Sequence, residues 1–579
     1  MSPAKQQPPA DKCRGRHAQA DGRLLQSWTV GALPLLNRLL EQIDLQFFLD
    51  KHLPPDDPRL EVPTSRCLLL LVKNILLSRE PIYGIGEWAE RYAPDLLGLT
   101  DPELQRLNDD RMGRCLDRLF DAEMSALALD VVRHVIVEFD VSLQQLHNDS
   151  TTVSFYGAYP EAAAEGRRRG RPTPAVTYGH SKARRPDLKQ LLYVLTVTDD
   201  GGVPVHFASA SGNTADVTTH RETWQLLSEL AGRPDFLYVA DCKLASTDNL
   251  QFIHNRGGRF VTVLPRNRRE DVQFRQRLAD APDAIPWEQV DDVTDAAIDR
   301  LRVCRDSGAS SEGFRLLWFH SLQKSLRDAD WRAKAIDRAT KELTALRDRL
   351  HSPRTRFRQQ AKVAEAVEQT LQRCGAERWV HVDIEPVERI EYQQTTRGRP
   401  SKHTHYVQRV STRFELTFHV DAARIAQDRA SDGVFPLITN DRELTAEQLL
   451  RAYKRQPLIE KRFSQFKTDF EVAPVYLKNV TRIQALLGVY FFVLLVQTLL
   501  ERQLRQALAE SDAETLPLYP EGRDCRAPTT RRVLDVFESV QRHQLSGDGL
   551  SQTFLTELTP LQQQIVQLLG HDIQNYGSC

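Results

Sequence analysis

Phe236-Leu237-Tyr238-Val239-Ala240-Asp241 is a run of five apolar or aromatic residues that ends on a carboxylate. Such a run, too short for a helix and unbroken by polar residues, reads as a buried strand. Asp241 then sits at the strand's C-terminal end, where side chains of open α/β sheets project into a ligand crevice. Upstream, residues 143–155, 191–198 and 203–209 have strand character, and Asp199-Asp200-Gly201-Gly202 supplies a hairpin turn between the last two. A helix is expected over residues 216–230, a shorter one over 246–255, and another strand over 259–264. The order is three strands, helix, strand, helix, strand, which makes the class α/β.

This region, residues 139–269, has different neighbours on its two sides. Residues 23–138 read as a helical domain, with Leu35, Leu39, Leu40 and Ile43 followed by the apolar block 68–77. Its Gly84-Ile85-Gly86-Glu87-Trp88-Ala89 follows a helix rather than a strand, so it reads as a turn and not as a dinucleotide fingerprint. Residues 270–432 interrupt the α/β rhythm as an α+β insertion. Leu322, Ala329, Ile336, Leu343 and Leu350 recur every seven residues, which describes a long helix with a packed seam, and Pro353 separates it from a second helix. Strands are expected over 379–384 and 414–420.

The core resumes over residues 433–507. A strand is expected at 434–438, a capping box at Thr445-Ala446-Glu447-Gln448, and a helix opened by Pro457. In that helix Ile459, Phe463, Phe466 and Phe470 form a buried stripe, and Glu460, Ser464 and Lys467 form a neighbouring one about 100° away. The apolar run 485–496 is shorter than the roughly 18 residues of a membrane span and reads as a buried helix. Residues 508–579 are expected to be helical, and residues 1–22, rich in Pro, Gln and charge, to be a disordered tail without a signal sequence.

A formal net charge of -1 gives no global sign of a nucleic-acid partner, so local clusters must carry one. Eight scattered cysteines without a C-x-x-C pair argue against a zinc site or a disulfide framework and suit a cytoplasm.

Three acids stand out by position. Asp149 lies in the first strand, within His147-Asn148-Asp149-Ser150-Thr151-Thr152; Asp241 follows the fourth; Glu460 lies on a late helix. That order is the one of the RNase H-like fold. The residue type matches the chemistry of two divalent cations about 3.5 to 4 Å apart, which activate an attacking oxygen and stabilise a leaving one. Mg²⁺, or Mn²⁺ in its place, prefers hard oxygen ligands, so carboxylates are the expected holders. Asp140, Asp187, Asp216 and Glu447 are the rival acids.

These residues resemble bacterial insertion-sequence transposases of the DDE type, which carry an insertion before the last acid and the signature Y-x-x-R-x-x-x-E-x-x-x-x-x-x-K. Tyr453, Glu460 and Lys467 match in type and spacing. Gln456 stands at the arginine position, with Arg455 beside it and Arg462 further on as substitutes. Gly179-His180-Ser181-Lys182, Arg185-Pro186-Asp187-Leu188-Lys189-Gln190, and Pro474-Val475-Tyr476-Leu477-Lys478 with Arg482 look like segments of the same family. The resemblance covers about residues 60–500. It implies an RNase H-like core, Asp149, Asp241 and Glu460 as catalytic metal holders, and Tyr453, Arg455, Lys467, Lys182, Arg185 and Lys189 near DNA. It further implies binding to terminal inverted repeats and target DNA, and a homodimer in the synaptic complex.

Two basic segments share Arg-Gly-Arg-Pro: Arg167, Arg168, Arg169 and Arg171 lie in the first, Arg397 and Arg399 in the second. In extended form such arginines can line an A·T-rich minor groove, and phosphate contact needs less. The expected function is DNA transposition by a bacterial, nucleoid-associated cytoplasmic enzyme. A degenerate DNA-binding relative and a metal-dependent nuclease without strand transfer are the alternatives.

Overall fold

The computed structural model describes residues 18–20, 23–182, 185–290, 300–305, 308–352, 355–395, 397–470, 477–519, 521–547, 550–574 and 576. Most of the expected tail, Pro353 and Pro474-Val475-Tyr476 therefore lie outside the described residues. The chain divides into two compact units: Met1–Val261 with Ala452–Cys579, and Thr262–Arg451. The sequence boundaries expected at 270 and 432 both fall within the second.

The first unit holds a mixed sheet. Its strands are β1 (Gln145–Phe155), β2 (Lys189–Thr198), β3 (Pro204–Ser211), β4 (Leu237–Ala240) and β5 (Arg259–Val263). They lie in the order β3-β2-β1-β4-β5. The first three are antiparallel neighbours, while β1, β4 and β5 run parallel. β1 and β2 are buried along almost their whole length, as strands covered on both faces must be.

Aromatic side chains hold helices to one face: Phe466 stacks on Tyr193 with centroids 4.6 Å apart, and Phe491 stacks on Phe207 at 4.7 Å. Burying each such ring is worth roughly 2–3 kcal/mol. Phe491 belongs to Val480–Glu510, a helix of 31 residues. It is far longer than the apolar run 485–496 that marked it. By length and composition it could cross a membrane, yet 89% of its most apolar window is buried inside the protein.

That long helix also packs against Thr64–Leu77 and Asp109–Asp121 of a helical N-terminal region. Arg482 pairs with Asp117 at 2.7 Å, its guanidinium lying against the bare Cα of Gly113. Two expectations fail here. Arg23–Thr29 is a strand rather than the start of a helix, and the C-terminal region is only partly helical. Gln541–Gly547 and Leu550–Leu555 form a hairpin that adds to Arg23–Thr29 and closes a four-stranded sheet with Ala18–Ala20. Polar residues alternate weakly in these strands, so only the long-range pairing makes them strands.

The second unit has antiparallel strands Glu288–Val290, Leu301–Cys304, Arg315–Ser321 and Val434–Thr439. The seven-residue repeat lies in the 30-residue helix Leu322–His351, but the packed seam is Ala335, Ala339, Leu343, Leu346 and Leu350. Leu322 is 38% exposed, so the expected seam does not begin there, although Ile336 packs against the observed one. The seam closes on Val363 and Val367 of Gln360–Cys374 and on Phe414 and Leu416. The expected short strands are the roots of a hairpin of two 15-residue strands, Val380–Gln394 and Tyr406–Val420.

Candidate active site

The sheet register brings two of the three acids together. Asn148 pairs with Ala240 across the parallel β1 and β4, so Asp149 and Asp241 follow at the same level on adjacent strands. Neighbouring strands lie about 4.8 Å apart. Asp149 Oδ1 accepts from the backbone N–H of Ser150 at 2.7 Å, and Asp241 Oδ1 accepts from that of Lys243 at 3.0 Å. Burial pushes Asp149 up to about 6, further helped by the charges of Asp241 and Asp216, against the pull of Lys182 and the Ser150 N–H. Burial also raises Asp241. Ionising both carboxyls in this place costs free energy, which a cation between them would return.

A cationic group already lies there. Lys182 Nζ sits 3.5 Å from Asp149 Oδ1 and 3.0 Å from Asp216 Oδ2, and donates to the carbonyl oxygen and Oγ of Ser150, each at 2.7 Å. Asp216, weighed from sequence only as a rival, opens the short turn Asp216–Thr218 after β3 and is the acid that sequence reasoning left out. Its signal was position alone.

β1 is fixed from below by buried polar contacts. His147, fully buried, is pushed down to about 4 by burial and stays neutral. Its Nδ1 lies 2.9 Å from Gln456 Oε1 and its Nε2 lies 2.8 Å from Gln145 Nε2, so the partners put the proton on Nδ1. Asn148 Oδ1 accepts from Thr196 Oγ1 at 2.9 Å. Gln456, at the signature's arginine position, is thus a partner of the first strand.

Glu460 arrives by a different route. Pro457–Ser464 is α-helical and Gln465–Asp469 continues it as a π turn. Ile459, Phe463, Phe466 and Phe470 are buried as the stripe required, while Glu460 and Ser464 are exposed. Tyr453 links the helix to the sheet acids. Burial pushes its hydroxyl up to about 12, and the charges of Asp241, Cys242, Glu460 and Asp149 all add to the rise. Lys467 is lowered by burial and by the charge of Lys182, and held up by Asp149. Tyr453 thus feels the charges of Asp149, Asp241 and Glu460, and Lys467 that of Asp149. Among the described residues, no three acidic, histidine or cysteine side chains converge as a finished metal site.

The other basic residues are accounted for as follows. Arg455 pairs with Asp199 at 3.1 Å. Arg462 cannot reach DNA: it is 1% exposed, pairs with buried Glu501 at 2.9 Å, and donates to the carbonyls of Gly201 and Gly202. Arg185 pairs with Asp187 at 2.7 Å, and Lys189 donates to the carbonyl of Ala158. Arg167, Arg168, Arg169 and Arg171 do not run on as one extended segment. They form a tight hairpin, Gly166–Arg168 with Arg171–Thr173, turned by Arg169 and Gly170 at positive φ. Arg169 binds the Asp121 carboxylate, Arg171 the Asp121 carbonyl, and Arg168 the Glu161 carbonyl. Arg397 and Arg399 lie in the exposed loop of the long hairpin.

Residues 25–133 match a domain of unknown function, DUF4277. No curated protein matches the chain. A cryo-EM structure of the piggyBac transposase synaptic complex with hairpin DNA is similar over 55% of this chain and 63% of that chain, at 10% sequence identity and a TM-score of 0.24. Residues 144–496 match the model described as Transposase DDE domain. That match takes in more than half of the 579 residues and spans β1, β4 and the helix of Glu460, and the chain belongs to the transposase DDE domain family.

Proposed function

We propose that this protein is the transposase of a bacterial insertion sequence, acting in the cytoplasm at the nucleoid. It binds the element's terminal inverted repeats, cleaves the DNA ends and joins the freed 3′-hydroxyls to target DNA, working as a homodimer in the synaptic complex. The observation that carries this reading is the register of β1 and β4, which sets Asp149 and Asp241 at one level on neighbouring strands. The strand order β3-β2-β1-β4-β5, three antiparallel and then parallel, supports an RNase H-like core for residues 139–269 and 433–507, with 270–432 as its insertion.

The donor set suits Mg²⁺ or Mn²⁺. All the groups are oxygens, two of the carboxyls are raised by burial, and an ammonium already takes a cation's place beside them. Asp149 and Asp241 would hold the metal and Glu460 would complete its shell. Divalent cations held there would supply activation of an attacking oxygen and stabilisation of a leaving one. The chain's own part is to orient and exclude: the sheet fixes two acids, and Tyr453 and Lys467 line the same cleft for a DNA phosphate. Arg167, Arg168, Arg397 and Arg399 supply outer phosphate contacts.

Asp149→Asn, Asp241→Asn and Glu460→Gln should each reduce cleavage and joining of a terminal-repeat DNA by about a thousandfold or more, while repeat binding survives. EDTA should do the same to the wild type, with Mg²⁺ or Mn²⁺ restoring it. Cleavage that persists with all three acids neutralised would defeat the assignment. Nicking without joined products would instead favour a nuclease.

A further inference from the structure

Lys182 is surrounded as a bound cation would be. Four oxygens lie 2.7 to 3.5 Å from Nζ: Ser150 O, Ser150 Oγ, Asp216 Oδ2 and Asp149 Oδ1. An ammonium has three protons to donate, so at least one contact is held by charge alone. The longest of the four is the one to Asp149. Burial works against the charge on Lys182, but Asp149 and Asp216 hold its pKa above the ordinary lysine value. The side chain is 27% exposed, which leaves a path outward.

Asp149 cannot serve both this ammonium and a divalent ion at short range. Two like charges about 4 Å apart repel by several kcal/mol at the effective dielectric of a partly buried site. Asp216, which lies outside the triad, is the closer carboxylate and can keep the ammonium when Asp149 is taken.

We infer that Lys182 is an internal counter-cation: it holds Asp149 beside Asp216 before metal binds and must withdraw from Asp149 toward Asp216 when a divalent ion occupies the Asp149–Asp241 pair. The inference rests on the proposed metal-dependent function. Lys182 is then a positioning residue that sets how readily the site loads, and DNA that draws its ammonium onto a phosphate would load metal more easily than the free protein.

The test is Mn²⁺ binding to the full chain without DNA, followed by electron paramagnetic resonance at pH 8, where Asp149 is ionised. Lys182→Met should bind Mn²⁺ about tenfold or more tightly than wild type. Lys182→Arg should not. Unchanged or weaker binding by a folded Lys182→Met would overturn the inference while leaving the metal reading intact. If neither protein binds Mn²⁺, the proposed function fails and this inference with it. Should Lys182→Met not fold, acetylation of Lys182 in the wild type decides: it should be slow in EDTA and faster in saturating Mn²⁺, and equal rates would overturn the inference.

Discussion

The sheet acids and the helix acid proposed for one site stand in opposite surroundings. Asp149 and Asp241 are partly buried, accept backbone N–H bonds and take their spacing from strand register. Glu460 is exposed, on a helix anchored by its other face. The first arrangement stores unfavourable desolvation in a rigid frame, and the second leaves a carboxylate free of that strain. On the proposed function, a site built this way is preorganised on one side and adjustable on the other.

The contrast is sharpest in stability. Asp149 is raised by burial to about 6, so the fold is most stable with it protonated. That stability is complete below the unfolded carboxyl range near 4 and is lost as pH rises through about 6. Asp149→Asn removes the loss, and should stabilise the metal-free protein by up to about 3 kcal/mol at pH 8 and by nothing near pH 3.5. Glu460→Gln should stay within about 0.5 kcal/mol of wild type at both. Urea denaturation in EDTA measures both, and equal behaviour of the two variants would erase the distinction.

A smaller effect tests what lies beneath the sheet acids. Gln456→Arg restores the arginine expected from the family signature, yet here it would set a charge against neutral, buried His147 and remove its acceptor. The variant should lose about 1–3 kcal/mol. A stabilised Gln456→Arg would show that the His147 contact does not fix β1.

The smallest effect compares the two Arg-Gly-Arg-Pro segments. Removing Arg397 and Arg399 together should reduce the salt dependence of DNA binding by about two units of slope if both meet phosphates. Removing Arg169 and Arg171, which are engaged by Asp121, should change that slope less. The reverse ranking would move the DNA path to the first hairpin.

That pair also shows what was legible. Arg169-Gly170-Arg171-Pro172 and Arg397-Gly398-Arg399-Pro400 are identical in sequence, but one is a turn tied to Asp121, far off in the chain, and the other lies between long strands. Composition revealed the charge; only tertiary contacts decide who receives it. Phe236–Ala240 was readable as an unbroken apolar run too short for a helix, and the stripe of Ile459, Phe463, Phe466 and Phe470 because its burial repeats with the helical period. Asp216 was not, since a lone acid after a strand has no pattern, and its meaning comes from the ammonium of Lys182. The pairing of Arg23–Thr29 with Gln541–Gly547 was equally invisible, for neither segment alternates clearly and they stand at opposite ends of the sequence.

The π turn Gln465–Asp469 lies between Glu460 and the end of its helix. A π turn holds one residue more than the α-helical path it replaces. Losing a single residue ahead of Lys467 would let the segment close to α-helix: residues beyond the turn would keep their register, while Lys467, inside the turn, would be carried round the helix axis relative to Glu460. Chain length, rather than chemistry, is what this segment measures: a one-codon deletion ahead of Lys467 would displace the lysine while leaving both Lys467 and Glu460 in the sequence.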